Sequence, residues 1–508
     1  MTATTVAPSV ERPTRTSLPS FAAAPVLGAA ALLVAIELAV AARYGYHRDE
    51  LYFLACARHL AWGYVDQPPF VPALARLATA LFGTSAVALR VFPAFAGGAA
   101  VVCTALTARE LGGRWRAQTL AALAAATSAQ VLAAMHLLST TAFDFFFWAA
   151  VILLVVRLLR TRDQRLWLAI GAVTGVALLN KYNIAFLLAA LVFGLLAGGQ
   201  SWALRGWRPW AGGALALLIW SPNLVWNAQH SWAAIAMLHA LHDENASLGN
   251  SIAFIPLQVL VVGPLLIVFW LAGLRLLFTH PFARPVALTY VALFVVDALA
   301  GAKPYYLGGI YFALFAAGGV WFERRVSDGT GEHRVRRMGA LMLVGAAVAV
   351  PLTLPVLPVS AQAKSGWEGN INKDLSATVG WKRVVRQLDA IARALPARER
   401  ANLVVFTGDY GAAGAVDLYG ARFGLPHAIS GHNNYWWWGP RGAREGATVI
   451  AVNLDKSYLQ TIFASVTRVG SVDTGYGIWT EERGERIFIC RNQTRTWAEI
   501  WPGAKHYS

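Results

Sequence analysis

The chain is poor in charge, in cysteine and, above all, in lysine. Only 14% of its 508 residues are Asp, Glu, Lys or Arg, where a soluble domain carries roughly 25%. A buried soluble core is excluded, because so few polar residues could not clothe so many helices that are apolar all round. Cys56, Cys103 and Cys490 lie far apart, which excludes a disulfide framework and a cysteine metal spacing. No internal repeat at a period of roughly 20–50 residues is present, so a solenoid is excluded as well. The first lysine is Lys181, and Lys303 is the only other before residue 360.

What is present is apolar. Hydrophobic residues make up 57% of the chain, and the mean hydropathy is +0.49. Apolar runs near or above the roughly 20 residues that cross a bilayer recur as far as about residue 360. They predict a polytopic α-helical membrane protein with 11 transmembrane helices, at 20–42, 86–108, 117–136, 142–160, 166–180, 183–199, 209–228, 251–273, 284–300, 304–321 and 338–357. Residues 166–199 read as one broken or two short helices. The polar first 17 residues, with Arg12 and Arg15, precede the first run without a cleavage site, as in an uncleaved signal anchor.

The net charge of +16 is not a nucleic-acid signal. Arginines sit in clusters between apolar segments, such as Arg157, Arg160, Arg162 and Arg165, or Arg324, Arg325, Arg334, Arg336 and Arg337. With the N-terminus inside, every inner connection is basic and the outer ones hold only isolated cations. The reading is a multi-pass protein of the cell membrane with a cytoplasmic N-terminus. Asp49, Glu50, Asp66, Asp144, Lys181, Asp243, Glu244, Asp297 and Lys303 then share the outer side. Ionisable groups at membrane depth are costly and so are functional candidates.

Two regions follow. Residues 1–360 form the transmembrane part, with a long first outer loop at 43–85 carrying interfacial helices. Residues 361–508 read as a compact extracytoplasmic α/β domain: "NLVVFTG", "ATVIAVNL" and "RIFICRN" predict strands, and "WKRVVRQLDAIARAL" an amphipathic helix. "GDYGAAG" does not fit the dinucleotide pattern and reads as a strand–turn–helix joint. "SGHNNYWWWGP" reads as a core or interface cluster, with sugar contact as the other option.

The outer loop opens with "HRDELYFLACARHL", in which apolar residues at Leu51, Leu54, Ala55 and Leu60 suit a helix lying along the interface. Asp49 is then either a cap favoured by the helix dipole or a working carboxylate. Asp144 in "STTAFDFFFWAA" carries the same ambiguity. Lys181 and Lys303 are either snorkelling anchors or a pair that offsets the charge of a phosphate. Tyr305 and Tyr306 are phosphate donors or members of an aromatic belt.

The stretch from His47 to Leu74, together with the later "KPYYLGGIYFALFAAGG", resembles the polyprenyl-phosphate-dependent GT-C glycosyltransferases, the family 39-like branch of protein O-mannosyltransferases and aminoarabinose transferases. The resemblance rests on Asp49, Glu50, Tyr52, Phe53, Gly63, Pro68 and Pro69 and spans about residues 20–360; Gln67 stands where the family often has His. It implies a GT-C-type fold and a transferase that moves a sugar, with inversion, from a polyprenyl-phosphate lipid donor to an extracytoplasmic acceptor. It implies Asp49 as the catalytic carboxylate with Glu50 beside it, Asp144 as a second acid that helps position the acceptor or Asp49, and Lys181, Lys303 and Tyr306 as donor-phosphate contacts. Some members use a divalent metal ion and others do not; "LHDEN", with His242, Asp243 and Glu244, is the one cluster that could join His47 or Glu50 around one, and reads otherwise as a solvated loop. The rival reading is a transporter or flippase of polyprenyl-linked sugars, which would show inverted repeats and broken helices; neither is apparent in the sequence.

Overall fold

A computed structural model describes residues 18–245, 247–327, 332–366 and 372–507. Arg12 and Arg15 lie outside them, as do the side chains of His242 and Glu244.

The chain is helical as far as residue 365. The order is α1 (Ala23–Val40), α2 (Arg48–Arg58), α3 (Phe70–Phe82), α4 (Ala86–Glu110), α5 (Trp115–Thr127), α6 (Ala129–Met135), α7 (Thr140–Thr161) and α8 (Leu166–Leu178). Then come α9 (Ile184–Ala197), α10 (Arg208–Gln229), α11 (Ala233–Asn245), α12 (Leu248–Val262), α13 (Ile267–Thr279) and α14 (Arg284–Ala300). A 3-10 segment (Pro304–Ile310) leads into α15 (Tyr311–Ser327), followed by α16 (Glu332–Thr353) and α17 (Val359–Ser365). Leu218, Leu299 and Val348 point outward from the bundle, as they do where lipid rather than water is the solvent. The chain is a multi-pass membrane protein.

Among the described residues, five helices are long and apolar enough to cross a membrane, or seven when each of two bent pairs counts as one span. The sequence-based count of 11 is therefore not reproduced by length and composition. Residues 166–199 form two short helices of 13 and 14 residues, about 20 Å each against a hydrocarbon core of about 30 Å.

Two spans expected to be continuous are broken. The run 117–136 bends by 60° between α5 and α6, and 251–273 bends by 89° between α12 and α13. Gly263, at φ +117°, and Pro264, which has no N–H to donate, end α12. The breaks face each other: the Ser128 hydroxyl donates to the Val262 carbonyl at 2.8 Å. A carbonyl freed inside the bundle must find a partner there. Elsewhere small residues bring backbones together; a Cβ on Gly273 would lie 2.0 Å from the Leu314 carbonyl oxygen.

The bundle has two polar rims. At one, Glu323 accepts the N–H groups of Arg114 and Ala117 at the start of α5, and Glu110 pairs with Arg157 and Arg160. At the other meet the end of α1, the starts of α2, α4, α7 and α9, and the 3-10 segment.

The tail adds α18 (Lys373–Ser376), α19 (Trp381–Arg393), α20 (Ala397–Arg400), β1 (Leu403–Thr407), α21 (Tyr410–Tyr419), β2 (Ala428–Ser430), α22 (Asn434–Trp437), β3 (Thr448–Val452), α23 (Lys456–Gln460), β4 (Phe463–Ser471), β5 (Arg486–Gln493) and α24 (Trp497–Ala504). The sheet order is β2-β1-β3-β5-β4, with β1 parallel to β2 and β3, and β5 antiparallel to β3 and β4. The three expected strands and the amphipathic α19 are present, and one apolar core runs through the bundle and the tail's near face.

The first outer loop departs from expectation. α2 is not exposed along one face: residues Leu51 to Ala57 are at most 5% exposed, enclosed by α3 and α21. The helix buries both faces because the tail lies over it.

Candidate active site

The site grows from the start of α2. Its cap is His47, not Asp49: the His47 Nδ1 accepts the Asp49 N–H at 3.1 Å, and the Glu50 carboxylate accepts the His47 N–H at 2.9 Å. Capping is thus provided by other groups, and Asp49 is left with a side chain 38% exposed. Its Oδ1 accepts the Tyr410 hydroxyl at 2.8 Å, and His47 and Arg48 nitrogens stand 3.8 Å away. Burial pushes the Asp49 carboxyl up, but His47, Arg48, the Tyr410 hydroxyl and Lys303 together outweigh it and hold the group below the usual carboxylate range.

Glu50 has a different environment. It is fully buried, and its oxygens accept Arg90 Nε at 3.0 Å, an Arg90 terminal nitrogen at 2.8 Å, the Leu138 N–H at 3.1 Å and the His47 N–H at 2.9 Å. Four donors fill its lone pairs, so it has none left for a substrate or a metal ion. Arg90, 1% exposed, also donates to the carbonyls of Ala41 and Gly45. His136 stands beside it and in turn meets Glu37 of α1 at 3.3 Å. This buried network ties α1, α2, α4 and α6 together at the rim.

Asp144 is 3% exposed, and its oxygens accept Trp148 Nε1 and Asn183 Nδ2, both at 3.0 Å. It has no hydrogen bond to Asp49 among the described residues; its charged neighbour is Lys181. Asn183 and Trp148 thus hold the Asp144 carboxylate, and any support it gives Asp49 is not a direct hydrogen bond. Lys181, in the α8–α9 turn, donates to the Thr141 hydroxyl at 3.1 Å and lies 5.2 and 5.0 Å from the ring centres of Tyr305 and Tyr306. Burial lowers its pKa, against the Asp144 charge, and Lys303 lowers it further. Lys303 also acts on Asp49. The two lone lysines thus stand electrostatically between the two acids.

Asp66 was overlooked as a site residue. Its Oδ1 accepts the Tyr52 hydroxyl at 2.9 Å, and Tyr52 packs on Tyr410 with ring centres 4.8 Å apart. Two packed tyrosines therefore hold two carboxylates. Burial, with a smaller push from Asp49, raises Asp66 to about 7 against the Tyr52 hydrogen bond. Its only sequence signal is the one used for Lys181, an isolated charge on the outer side. Next to it, Gln67 is 3% exposed, and neither heteroatom of its amide has a hydrogen-bond partner among the described residues. Arg90 carried a signal too, as a lone cation within an apolar helix; Tyr410, Asn183 and Asn434 carried none.

Both tail motifs are structural joints. "GDYGAAG" is the β1–α21 connection, as expected, and it also delivers Tyr410 to Asp49. In "SGHNNYWWWGP", Tyr435 is buried and Trp438 stacks on His59 at 4.7 Å. Among the described residues no three His, Cys, Asp or Glu side chains are grouped to hold a metal ion.

The family model described as dolichyl-phosphate-mannose-protein mannosyltransferase matches residues 66–226, which contain Asp66, Asp144 and Lys181 but begin after Asp49. No curated protein matches the chain. Among solved structures, ArnT from Cupriavidus metallidurans bound to undecaprenyl phosphate is similar with a TM-score of 0.60 at 15% identity, over 92% of this chain and 98% of that one. The apo state of the same protein gives 0.61 at 15%, with the same coverage. At this identity the likeness is one of fold, and at 92% of the chain it reaches into the tail. The chain has the fold of the GT-C membrane glycosyltransferases, as the resemblance of its first loop implies.

Proposed function

We propose that the protein is a membrane glycosyltransferase that moves a sugar from a polyprenyl-phosphate donor to an acceptor outside the cytoplasm. The observation that carries this reading is Asp49: a partly exposed carboxylate, held ionised at the rim, that feels the charge of Lys303, while Lys181 feels that of Asp144. A base at that point takes the proton of an acceptor hydroxyl as its oxygen attacks the anomeric carbon. The bond from that carbon to the phosphate oxygen breaks, the electron pair leaves with the polyprenyl phosphate, and configuration inverts. Lys181 and Lys303 offset the growing phosphate charge, and Tyr306 lines the same place.

Two roles shift from the sequence reading. Glu50 positions rather than reacts, because it is saturated by Arg90 and the backbone. Asp144 orients Lys181 rather than the base. Asp66, neutral over part of the working range, is a hydrogen-bond donor for the departing phosphate, and the free amide of Gln67 is available to the sugar. The ArnT structure that shares the fold is titled as binding undecaprenyl phosphate, and a lipid of that class fits a site at the membrane rim. A divalent metal has no step in this scheme. At the two broken spans the Ser128 hydroxyl satisfies the freed Val262 carbonyl, a structural use of the breaks that does not favour a transporter.

The test compares the purified parent chain with Asp49→Asn, using radiolabelled undecaprenyl-phosphate sugars and cell-envelope extract as acceptor. Transfer by the parent and none by the variant, with lipid binding retained, is the expected result. Near-full transfer by Asp49→Asn overturns the assignment, and lipid movement between leaflets without transfer replaces the transferase by a flippase.

A further inference from the structure

Resting on Asp49 as the base, we propose that the α/β tail is a working part of the catalytic site: Tyr410 orients Asp49 through its hydroxyl, and Asn434 fixes the loop that carries Asp66. Both tail residues reach across more than 360 positions of sequence to the first outer loop. The Tyr410 hydroxyl takes Oδ1 of Asp49 at 2.8 Å, which fixes the carboxylate rotamer and leaves Oδ2 for an incoming hydroxyl. The Asn434 Oδ1 accepts the Val65 N–H at 2.7 Å and meets the Tyr52 hydroxyl at 3.4 Å. That hydroxyl is the one that donates to Asp66. One tail segment therefore serves each carboxylate.

Tyr410 is itself held. Its N–H donates to Nδ1 of His432 at 3.3 Å, and the two rings lie 4.7 Å apart. Burial, with His506 adding, drives His432 down to about 3, so the imidazole is neutral and its Nδ1 accepts the Tyr410 N–H. The seat of α21 on α2 is built from glycine. A Cβ on Gly414 would come within 2.9 Å of Leu51 backbone, and one on Gly411 within 2.9 Å of the Arg48 Cβ. Gly411 and Gly414 of "GDYGAAG" thus serve close helix approach, and Gly408 the close pass of the Asn453 carbonyl. The Arg48–Glu481 ion pair crosses the same boundary. A hydroxyl bonded to a carboxylate is a charge-assisted contact, stronger than a neutral one, and it lives only while the tail is docked.

The charged and titratable groups facing Asp49 are His47 and Arg48 at the start of α2, Lys303 and Tyr305 at the start of the 3-10 segment, Asp66 on the outer loop, Tyr410 on α21, and His432 after β2. Asp374 of α18 stands behind His47, and Glu481 and Glu482 stand behind Arg48. Only the Tyr410 contact is removed by Tyr410→Phe, which keeps the ring.

The experiment measures transfer against pH for the full chain in lipid nanodiscs, with undecaprenyl-phosphate sugars and cell-envelope extract. For Tyr410→Phe the acid limb of kcat/KM is expected to move up by about one pH unit, with kcat about tenfold lower and the donor KM little changed. Asn434→Ala is expected to lower kcat while that limb stays in place. A parental rate and limb for Tyr410→Phe overturns the inference. Should Tyr410→Phe not fold, 3-fluorotyrosine at position 410 strengthens the same hydrogen bond: a limb moved to lower pH supports the proposal, and an unmoved limb sinks it. Asp49→Asn is run alongside. If it retains transfer, the base assignment falls; if it is dead while Tyr410→Phe is parental, only the tail's role falls.

Discussion

Asp49 and Glu50 are neighbours in sequence with opposite surroundings, and that contrast is testable. Glu50 is buried against Arg90 with four donors. Removing one member of a buried pair leaves the other charge uncompensated and costs about 3–5 kcal/mol. Glu50→Gln is therefore expected to unfold at a markedly lower temperature in detergent, whereas Asp49→Asn melts close to the parent and loses turnover. Equal melting points would remove Glu50 from the structural role. Asp66 makes the second residue-scale prediction. A carboxyl raised to about 7 by burial keeps its proton below that pH and loses it above. If its O–H serves the phosphate, transfer falls as pH rises through about 7, and Asp66→Asn, a donor at every pH, flattens that alkaline limb. A limb unchanged in the variant would assign it to another group.

At the scale of elements, the decisive contact is α21 against α2. Gly414→Leu is expected to lift α21 from Leu51 and reduce transfer at least tenfold, the scale of a misplaced catalytic group, while the tail keeps its own sheet. Limited proteolysis checks this: the α2 loop becomes cleavable and the tail fragment stays resistant. How far such elements were legible depends on what dictates them. Helix positions were readable because a bilayer demands long apolar runs. The break at Ser128 was not, since its partner is a carbonyl on α12. α19 declares itself by Trp381, Val384, Val385 and Leu388 on one face. β2, three residues long, has no period to read, and β4 is a partly exposed edge strand. The full burial of α2 was not legible for a clear reason: its own pattern is amphipathic, and the tail that covers its other face lies more than 300 positions away. Charges on the outer side made Asp49, Asp144, Lys181 and Lys303 candidates, while a hydroxyl such as Tyr410 acquires its meaning only from a partner 361 positions away.

For the whole molecule, the charge distribution makes a prediction about sidedness. The arginine-rich connections and their Glu110 and Glu323 partners gather at one rim, and the site with the tail above it gathers at the other. The positive-inside bias assigns the first rim to the cytoplasm, which puts Asp49 where a flipped lipid donor and an envelope acceptor meet. Arg205 lies exposed at the arginine rim and Lys456 exposed on the tail, while the native cysteines are buried or partly buried. In intact cells a membrane-impermeant maleimide is expected to label Lys456→Cys at once and Arg205→Cys only after lysis, with the parent chain as the unlabelled control. The opposite pattern would place the carboxylates on the cytoplasmic side. The transfer chemistry proposed for Asp49 could then stand, but its acceptor would have to be sought among cytoplasmic molecules, and the tail would be a cytoplasmic domain that reaches its base from within.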